Sequence, residues 1–244
     1  IPIDQKSPES ITIQKDAEVL GLLDKYLIDE HGQSKTSFSP SAISVFLDCR
    51  LKFYLQYLAN IQEKQEVSEE IDAAVFGNLA HLSMEILYQD FAKRKNRTLL
   101  EKSDFEELNK AWVFPAIEKA IREFYHLEGE ADTKLNGQMA IARDVLQKYL
   151  HQILKIDEAS APFKLISLEK ERKYTAGLKI ETAAGAQTVS LKGIIDRVDE
   201  HNGSVRLIDY KSGQDNKTFP DVESLFDREH KSRNKAAIQT MFYG

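Results

Sequence analysis

Asp196, Asp209 and Lys211 stand in one short stretch, LKGIIDRVDEHNGSVRLIDYKSG, residues 191–213, among isoleucines, valines and leucines. The Asn202-Gly203 pair at its middle predicts a tight hairpin, because a two-residue type I′ turn needs positive φ at both central positions. With those residues at the tip, His201 faces Ser204, and a four-residue loop from His201 to Ser204 keeps the same register. Asp196 then lies opposite Asp209. Lys211 falls on the same face, since strand side chains alternate with period 2. On the other face Asp199 meets Arg206, a favourable cross-strand pair.

Opposed Cβ atoms sit roughly 5 Å apart, and two like charges at that distance repel by roughly 3 kcal/mol at an effective dielectric near 20. A good cross-strand pair contributes only about 0.2–1 kcal/mol. The two carboxylates therefore call for a cation between them or for a proton on one, and a divalent metal is the sharper reading. A three-residue loop would instead shift the register by one and leave two unrelated surface aspartates. Lys211 beside a carboxylate pair has a specific use in phosphodiester hydrolysis: it orients or helps deprotonate the attacking water and stabilises charge on the phosphorane, while metal ions supply Lewis acidity. The plainer alternative is a solvent-facing strand lysine with its stem along the sheet.

The rest of the chain must position this hairpin. At 244 residues, 42% hydrophobic and 30% charged, it has the composition of one large or two small globular domains. Residues 1–36 read as a polar lead-in with a helical stretch around Ala17 to Ile28. In SFSPSAISVFLDCRLKFYLQYL, Ser39 as N-cap and Pro40 at the first helical position predict a helix running to Leu58. A second helix in EVSEEIDAAVFGNLAHLSMEILYQDFAKRK carries a core stripe of Val75, Leu79, Leu82 and Ile86. Ser103 and Glu106 suggest a capping box opening a third helix, with Pro115 as a point of kinking. A fourth runs from about Met139 to Lys155. From Pro162 onward FKLISLEKERKY, GLKIET, QTVSLKGIIDRVDE and SVRLIDYKS read as four strands, and a helix resumes after about Arg233. Helices, then a meander, then a helix imply an α+β domain. Its helical part covers about residues 37–160, and its sheet and final helix about 161–244.

No apolar run approaches the roughly 20 residues that span a bilayer, and IPIDQKSPES has neither the basic nor the apolar region of a signal peptide, so a cytoplasmic protein is expected. The absence of an initiator methionine and the ending at QTMFYG, inside a helical segment, suggest a domain of a longer polypeptide. The single cysteine, Cys49, excludes an intrachain disulfide framework. A net charge of −6 leaves nucleic-acid binding to a local basic face. Such a face is offered by DREHKSRNK, with Arg228, Lys231, Arg233 and Lys235 just before the last helix; a solvated loop is the alternative. In the second helix His81 lies just off the core stripe with Glu85 one turn on, and Gly77 suggests close approach of another backbone.

The set GNLAH, GIIDRVD, LIDYKSG and IQTMFYG, in that order, resembles the RecB-like branch of the PD-(D/E)xK nucleases, particularly the nuclease domains of AddB-type helicase-nuclease proteins. The likeness includes SPSAISVFLDCRLKFYLQYL and spans about residues 37–244. It implies a restriction-endonuclease-like core, a central mixed β-sheet flanked by helices, behind a large helical N-terminal region. It also implies a metal-dependent deoxyribonuclease, an exonuclease by class, serving DNA repair or recombination beside a helicase-like region of the same or a partner polypeptide. Carried onto this chain, it makes His81, Asp196 and Asp209 metal ligands, with the Tyr210 main-chain carbonyl a further one, and Lys211 the catalytic lysine. Gln239 and Tyr243 match a glutamine-tyrosine motif that contacts DNA or braces the site. One imidazole among hard oxygen ligands suits magnesium or manganese better than zinc.

The chain departs from the family at Cys49-Arg50, where relatives often have Cys-Pro and some join that cysteine to three later ones around an iron-sulfur cluster. Such a cluster has no support within this chain, and Cys49 reads as a buried helix residue. Glu169 and Glu171 are candidates for an outer metal contact, although the alternating charge of LEKERK also fits a solvated strand edge. Two other functions share the motifs: a DNA-binding domain of the same fold without catalysis, and a stand-alone exonuclease of the kind found in CRISPR spacer acquisition. The intact set of His81, Asp196, Asp209 and Lys211 weighs against the first. The extended helical region before the sheet weighs against the second. No GxxxxGK[ST] loop occurs, so any ATP dependence lies elsewhere.

Overall fold

The computed structural model describes residues 11–61, 71–127, 137–169, 174–183, 185–213, 218–229 and 233–243. In chain order the lead-in carries α1 (Ala17–Gly21), followed by α2 (Pro40–Asp48), α3 (Arg50–Phe53), α4 (Ala73–Lys95), β1 (Leu99–Leu100), α5 (Asp104–Glu107), α6 (Val113–Phe124) and α7 (Gly137–Ala159). Strands β2 (Phe163–Leu168), β3 (Tyr174–Thr182), β4 (Gly185–Gly193), β5 (Arg197–His201) and β6 (Ser204–Ile208) come next, then α8 (Val222–Phe226) and α9 (Lys235–Tyr243). This is the α+β order expected from the sequence.

The long helix α4 starts where Asp72 accepts the Val75 N–H at 2.8 Å and stops at Asn96, which adopts the left-handed conformation that ends helices. Leu79, Met84, Ile86, Leu87 and Phe91 are buried along it. Leu146, Leu150 and Leu154 repeat every four residues on α7, and Ile117 and Ile121 do so on α6, so the three helices share one core with Phe163, Leu165 and Leu168 of β2. Truncating any one of these buried leucines to alanine is worth about 2–5 kcal/mol.

Three helix readings differ in detail. Ser39 caps α2 as expected, by accepting the Ala42 N–H, but the helix breaks at Cys49 instead of running to Leu58. Cys49 is extended and exposed, with its Sγ taking the Lys52 N–H; the expected buried helix residue is instead the cap of α3. Ser103 makes no capping bond. Asp104 accepts the Glu101 N–H and pairs with Arg97, and a wider π-type turn from Leu108 to Trp112 precedes Pro115.

The sheet runs β1-β2-β5-β6 with antiparallel ladders, and β3 and β4 form a separate antiparallel hairpin. A parallel bridge joins Phe38 to Leu191, and the lead-in adds Leu27 against Val189, so β4 is covered from the N-terminal side. The segment QTVSLKGIIDRVDE, expected as one strand, is two. It leaves the smaller sheet at Gly193 and enters the larger at Arg197, with Ile194–Asp196 unpaired between them. A separate cluster, Leu47, Leu225 and Ile238, packs α9 against α2 and α8. That contact brings the end of the chain over the β5–β6 hairpin.

Candidate active site

The hairpin has the expected register: His201 pairs with Ser204, Asp199 with Arg206 and Arg197 with Ile208. Asn202 and Gly203 take φ of 50° and 76°, the positive values that select these residues for the turn. Asp196 and Asp209 lie one step beyond the last pair, at the open end where the strands leave the ladder.

Each carboxylate has its own partners. Asp196 is buried, with Oδ1 3.0 Å from His81 Nδ1 and Oδ2 accepting the Tyr210 N–H at 2.6 Å. Asp209 Oδ2 lies 2.6 Å from Lys211 Nζ, and its Oδ1 accepts from Gln239 Nε2 at 2.8 Å. Gln239 turns its Oε1 to Lys211 Nζ at 2.9 Å. Tyr243 donates to the Ile194 carbonyl at 2.8 Å, within reach of Gln239. The repulsion anticipated between the aspartates is thus partly answered by the imidazole and the ammonium. Gln239 and Tyr243 brace Asp209, Lys211 and the break before Asp196.

His81, Glu169 and Asp196 present one ligand atom each within 4.8 Å of one another. Glu169 arrives through β2: a bulge between Leu165 and Ser167 brings Leu168 opposite Arg197, and Glu169 follows directly, its carboxylate near Asp196. Asp209 stands outside this cluster, turned toward Lys211 and Gln239. The hydrogen bond to Asp196 raises the His81 pKa; burial opposes it, and the charges of Asp196, Glu169 and Asp209 add to it. An open cleft of about 250 Å³, lined by Asn78, His81, Leu82, Glu85 and Glu169, gives access to the cluster. One nitrogen and two hard oxygen donors, with a third carboxylate adjacent, fit a magnesium or manganese ion. Glu171 lies outside the described residues.

Behind the hairpin stands a network that local sequence patterns do not announce. Arg197 is fully buried; its Nη1 and Nη2 each reach Asp157 at 2.7 Å, its Nε reaches Asp199 at 3.0 Å, and Nη1 also meets the Tyr210 hydroxyl at 2.9 Å. Arg206 closes on Asp199 at 2.6 Å, and Tyr88 donates to Asp157. Burial pushes the Tyr210 phenol well above its ordinary range, so it stays protonated. Asp199 facing Arg206 was legible as a cross-strand pair, whereas Asp157 belongs to α7 and only folding brings it to Arg197.

The basic segment before α9 is engaged within the protein. Arg233 pairs with Asp48 and donates to the Asp227 carbonyl, Lys235 Nζ lies 2.6 Å from Asp48, and Arg228 donates to the Leu47 carbonyl. These cations satisfy the C-terminal end of α2 and fasten α9 to it. Lys231 lies outside the described residues. Among those residues, no helix is long and apolar enough to cross a membrane.

The chain is 25% identical to an ATP-dependent helicase/deoxyribonuclease subunit from Streptococcus mutans over 229 residues, 93% of this chain and 18% of that protein. It is 27% identical to the protein of the same name from Streptococcus agalactiae over 213 residues, 87% of the chain and 16% of the relative. For the counterpart in Streptococcus equi subsp. zooepidemicus the identity is 25% over 182 residues, 74% and 14%. The chain thus spans less than a fifth of the length of these relatives. The profile of the PD-(D/E)XK nuclease superfamily matches residues 37–244, and the chain belongs to that superfamily.

Proposed function

We propose that this chain is the nuclease domain of a helicase-nuclease protein and hydrolyses DNA phosphodiester bonds with magnesium or manganese. The observation that carries the reading is the convergence of His81, Glu169 and Asp196 beside the Asp209–Lys211 ion pair at the open end of one hairpin. His81, Glu169, Asp196 and Asp209 hold the metal, with the Tyr210 main-chain carbonyl as a further oxygen. A divalent ion there supplies Lewis acidity and lowers the pKa of water.

The chain's own residues do the positioning. Lys211, held by Asp209 and Gln239, keeps its ammonium beside the carboxylates, where it would orient the attacking water and offer positive charge to the oxyanion that develops. Tyr210 ties the two halves of the hairpin, because its N–H fixes the Asp196 carboxylate while its ring is anchored by Arg197. The relatives are named as helicase/deoxyribonuclease proteins, which supports DNA as substrate and a helicase-like region as partner, in the same or another polypeptide. Exonucleolytic action, a role in repair or recombination and a cytoplasmic location belong to the same proposal.

The test is cleavage by the purified chain of end-labelled linear single- and double-stranded DNA with magnesium, with manganese and with chelator. Cleavage in either metal that stops in chelator and is absent from Lys211→Ala supports the reading. A folded protein that binds DNA yet leaves it intact in every metal overturns it in favour of a non-catalytic binding domain.

A further inference from the structure

We propose that Tyr149, on α7 and outside the sequence motifs of the site, is a positioning residue that sets the main chain of Lys211 and thereby the reach of its ammonium. The inference rests on the nuclease reading for its catalytic consequence and on geometry for its physical content. The β5–β6 ladder ends at the Arg197–Ile208 pair, so Lys211 lies three residues beyond the last strand residue and has no sheet partner to place it. The Tyr149 hydroxyl supplies one from another element, donating to the Lys211 carbonyl at 2.8 Å.

The tyrosine is itself held. Its neighbours Leu146 and Leu150 are fully buried in the helical core, and its ring meets Phe76 of α4 edge-on, 6.1 Å between centroids. Gly77, beside Phe76, closes the other side: a Cβ there would stand 3.2 Å from Ser212 Oγ. Helices α4 and α7 thus grip the Lys211–Ser212 segment together. Burial, with the charge of Asp196, raises the Tyr149 pKa, which keeps the phenol a donor at neutral pH.

A hydrogen bond of this kind is worth roughly a two- to tenfold change in rate if it acts on a transition-state group. Water can take its place on the exposed carbonyl, so the cost to folding is small. Tyr149→Phe keeps the ring and removes only the hydroxyl. In the full chain we expect kcat for DNA cleavage in manganese to fall between roughly twofold and tenfold, KM to stay within about twofold and the melting temperature to hold within a few degrees. A purely structural role predicts the reverse: a large drop in melting temperature with kcat per folded molecule unchanged.

The independent readout is the Lys211 side-chain resonance in isotope-labelled protein, identified by its loss in Lys211→Arg. It should shift or broaden in Tyr149→Phe, and this holds whether or not the wild type cuts DNA. If the wild type fails to cut, the nuclease reading fails, and the resonance alone decides whether Tyr149 positions Lys211. An unmoved resonance overturns the proposal, as does unchanged kcat in an active protein or an effect confined to KM.

Discussion

The two faces of the β5–β6 hairpin carry alternate residues of the same strands and resolve their charge in opposite ways. On the inner face Arg197 and Arg206 meet Asp157 and Asp199, two cations against two carboxylates, with Arg197 and Asp199 fully excluded from water. On the other face, among the described residues, Glu169, Asp196 and Asp209 gather with Lys211 and His81 beside an open cleft. The closed face is balanced in charge and serves as a rigid support. The open face gathers carboxylates beside solvent, where a cation can reach them. Adjacent residues therefore do different work: Arg197 anchors where Asp196 is available for chemistry, and the Tyr210 ring anchors between Asp209 and Lys211.

The largest test of that contrast is Arg197→Ala. Removing the guanidinium strands Asp157 and Asp199 in the interior, and breaking a buried charge pair costs about 3–5 kcal/mol. Urea unfolding should show a loss of that size, whereas a change below about 1 kcal/mol would dissolve the distinction between the faces. On the open face the balance reverses. Lys211→Ala should lower cleavage by roughly 10²–10³-fold, the cost of removing a group that stabilises transition-state charge. Its unfolding free energy should stay within about 1 kcal/mol of wild type, since the Asp209–Lys211 pair is solvent-accessible. Unchanged cleavage with lost stability would make Lys211 structural.

Gly193→Ala probes the junction where the chain passes between sheets. A Cβ at 193 would lie 2.7 Å from Tyr243 Cε1, so the ring must move and its bond to the Ile194 carbonyl must weaken. We expect cleavage to fall by roughly two- to tenfold, the worth of one hydrogen bond, with wild-type rates placing Tyr243 outside the machinery.

The smallest effect is a pH dependence at the α2–α9 fastening. The Lys235 hydrogen bond, with help from Arg233 and against slight burial, holds the Asp48 pKa below its ordinary value. A depressed folded-state pKa contributes stability that is present above the unfolded value, near 4, and is lost as pH falls through the folded one. Asp48→Asn should therefore be destabilised by less than about 1 kcal/mol at pH 7, discounted for the exposure of the pair, and should match wild type in strong acid. Equal offsets at both pH values would show that charge plays no part there.

Much of the open face was legible in the sequence because it depends on local rules. Asn202-Gly203 dictates the turn and the turn dictates the register as far as the Arg197–Ile208 pair; beyond it Asp196, Asp209 and Lys211 are held by His81, Gln239 and Tyr149 from distant elements. The break at Ile194–Asp196 was not legible, since GIIDRVD has the same apolar alternation whether it stays in one sheet or passes between two. Glu169 was a candidate in LEKERK from the sequence, but the bulge in β2 that brings it to Asp196 leaves no mark in composition. Cys49 looked like a helix residue because the flanking segments are both helical, and the cap between them is a choice of φ and ψ.

What only the tertiary structure decided are the contacts between elements far apart in the chain. Asp157 reaches Arg197, Tyr149 reaches Lys211, and Asp48 takes Arg233 and Lys235, cations that the sequence offered to DNA or to a solvated loop. Periodicity specifies which face a side chain occupies within its own helix or strand. It carries no information about which other face arrives there, because that follows from the packing of α4, α6, α7 and α9 as whole bodies. The turn and register of the hairpin were therefore written locally, and the partners its carboxylates meet were set by the fold around it.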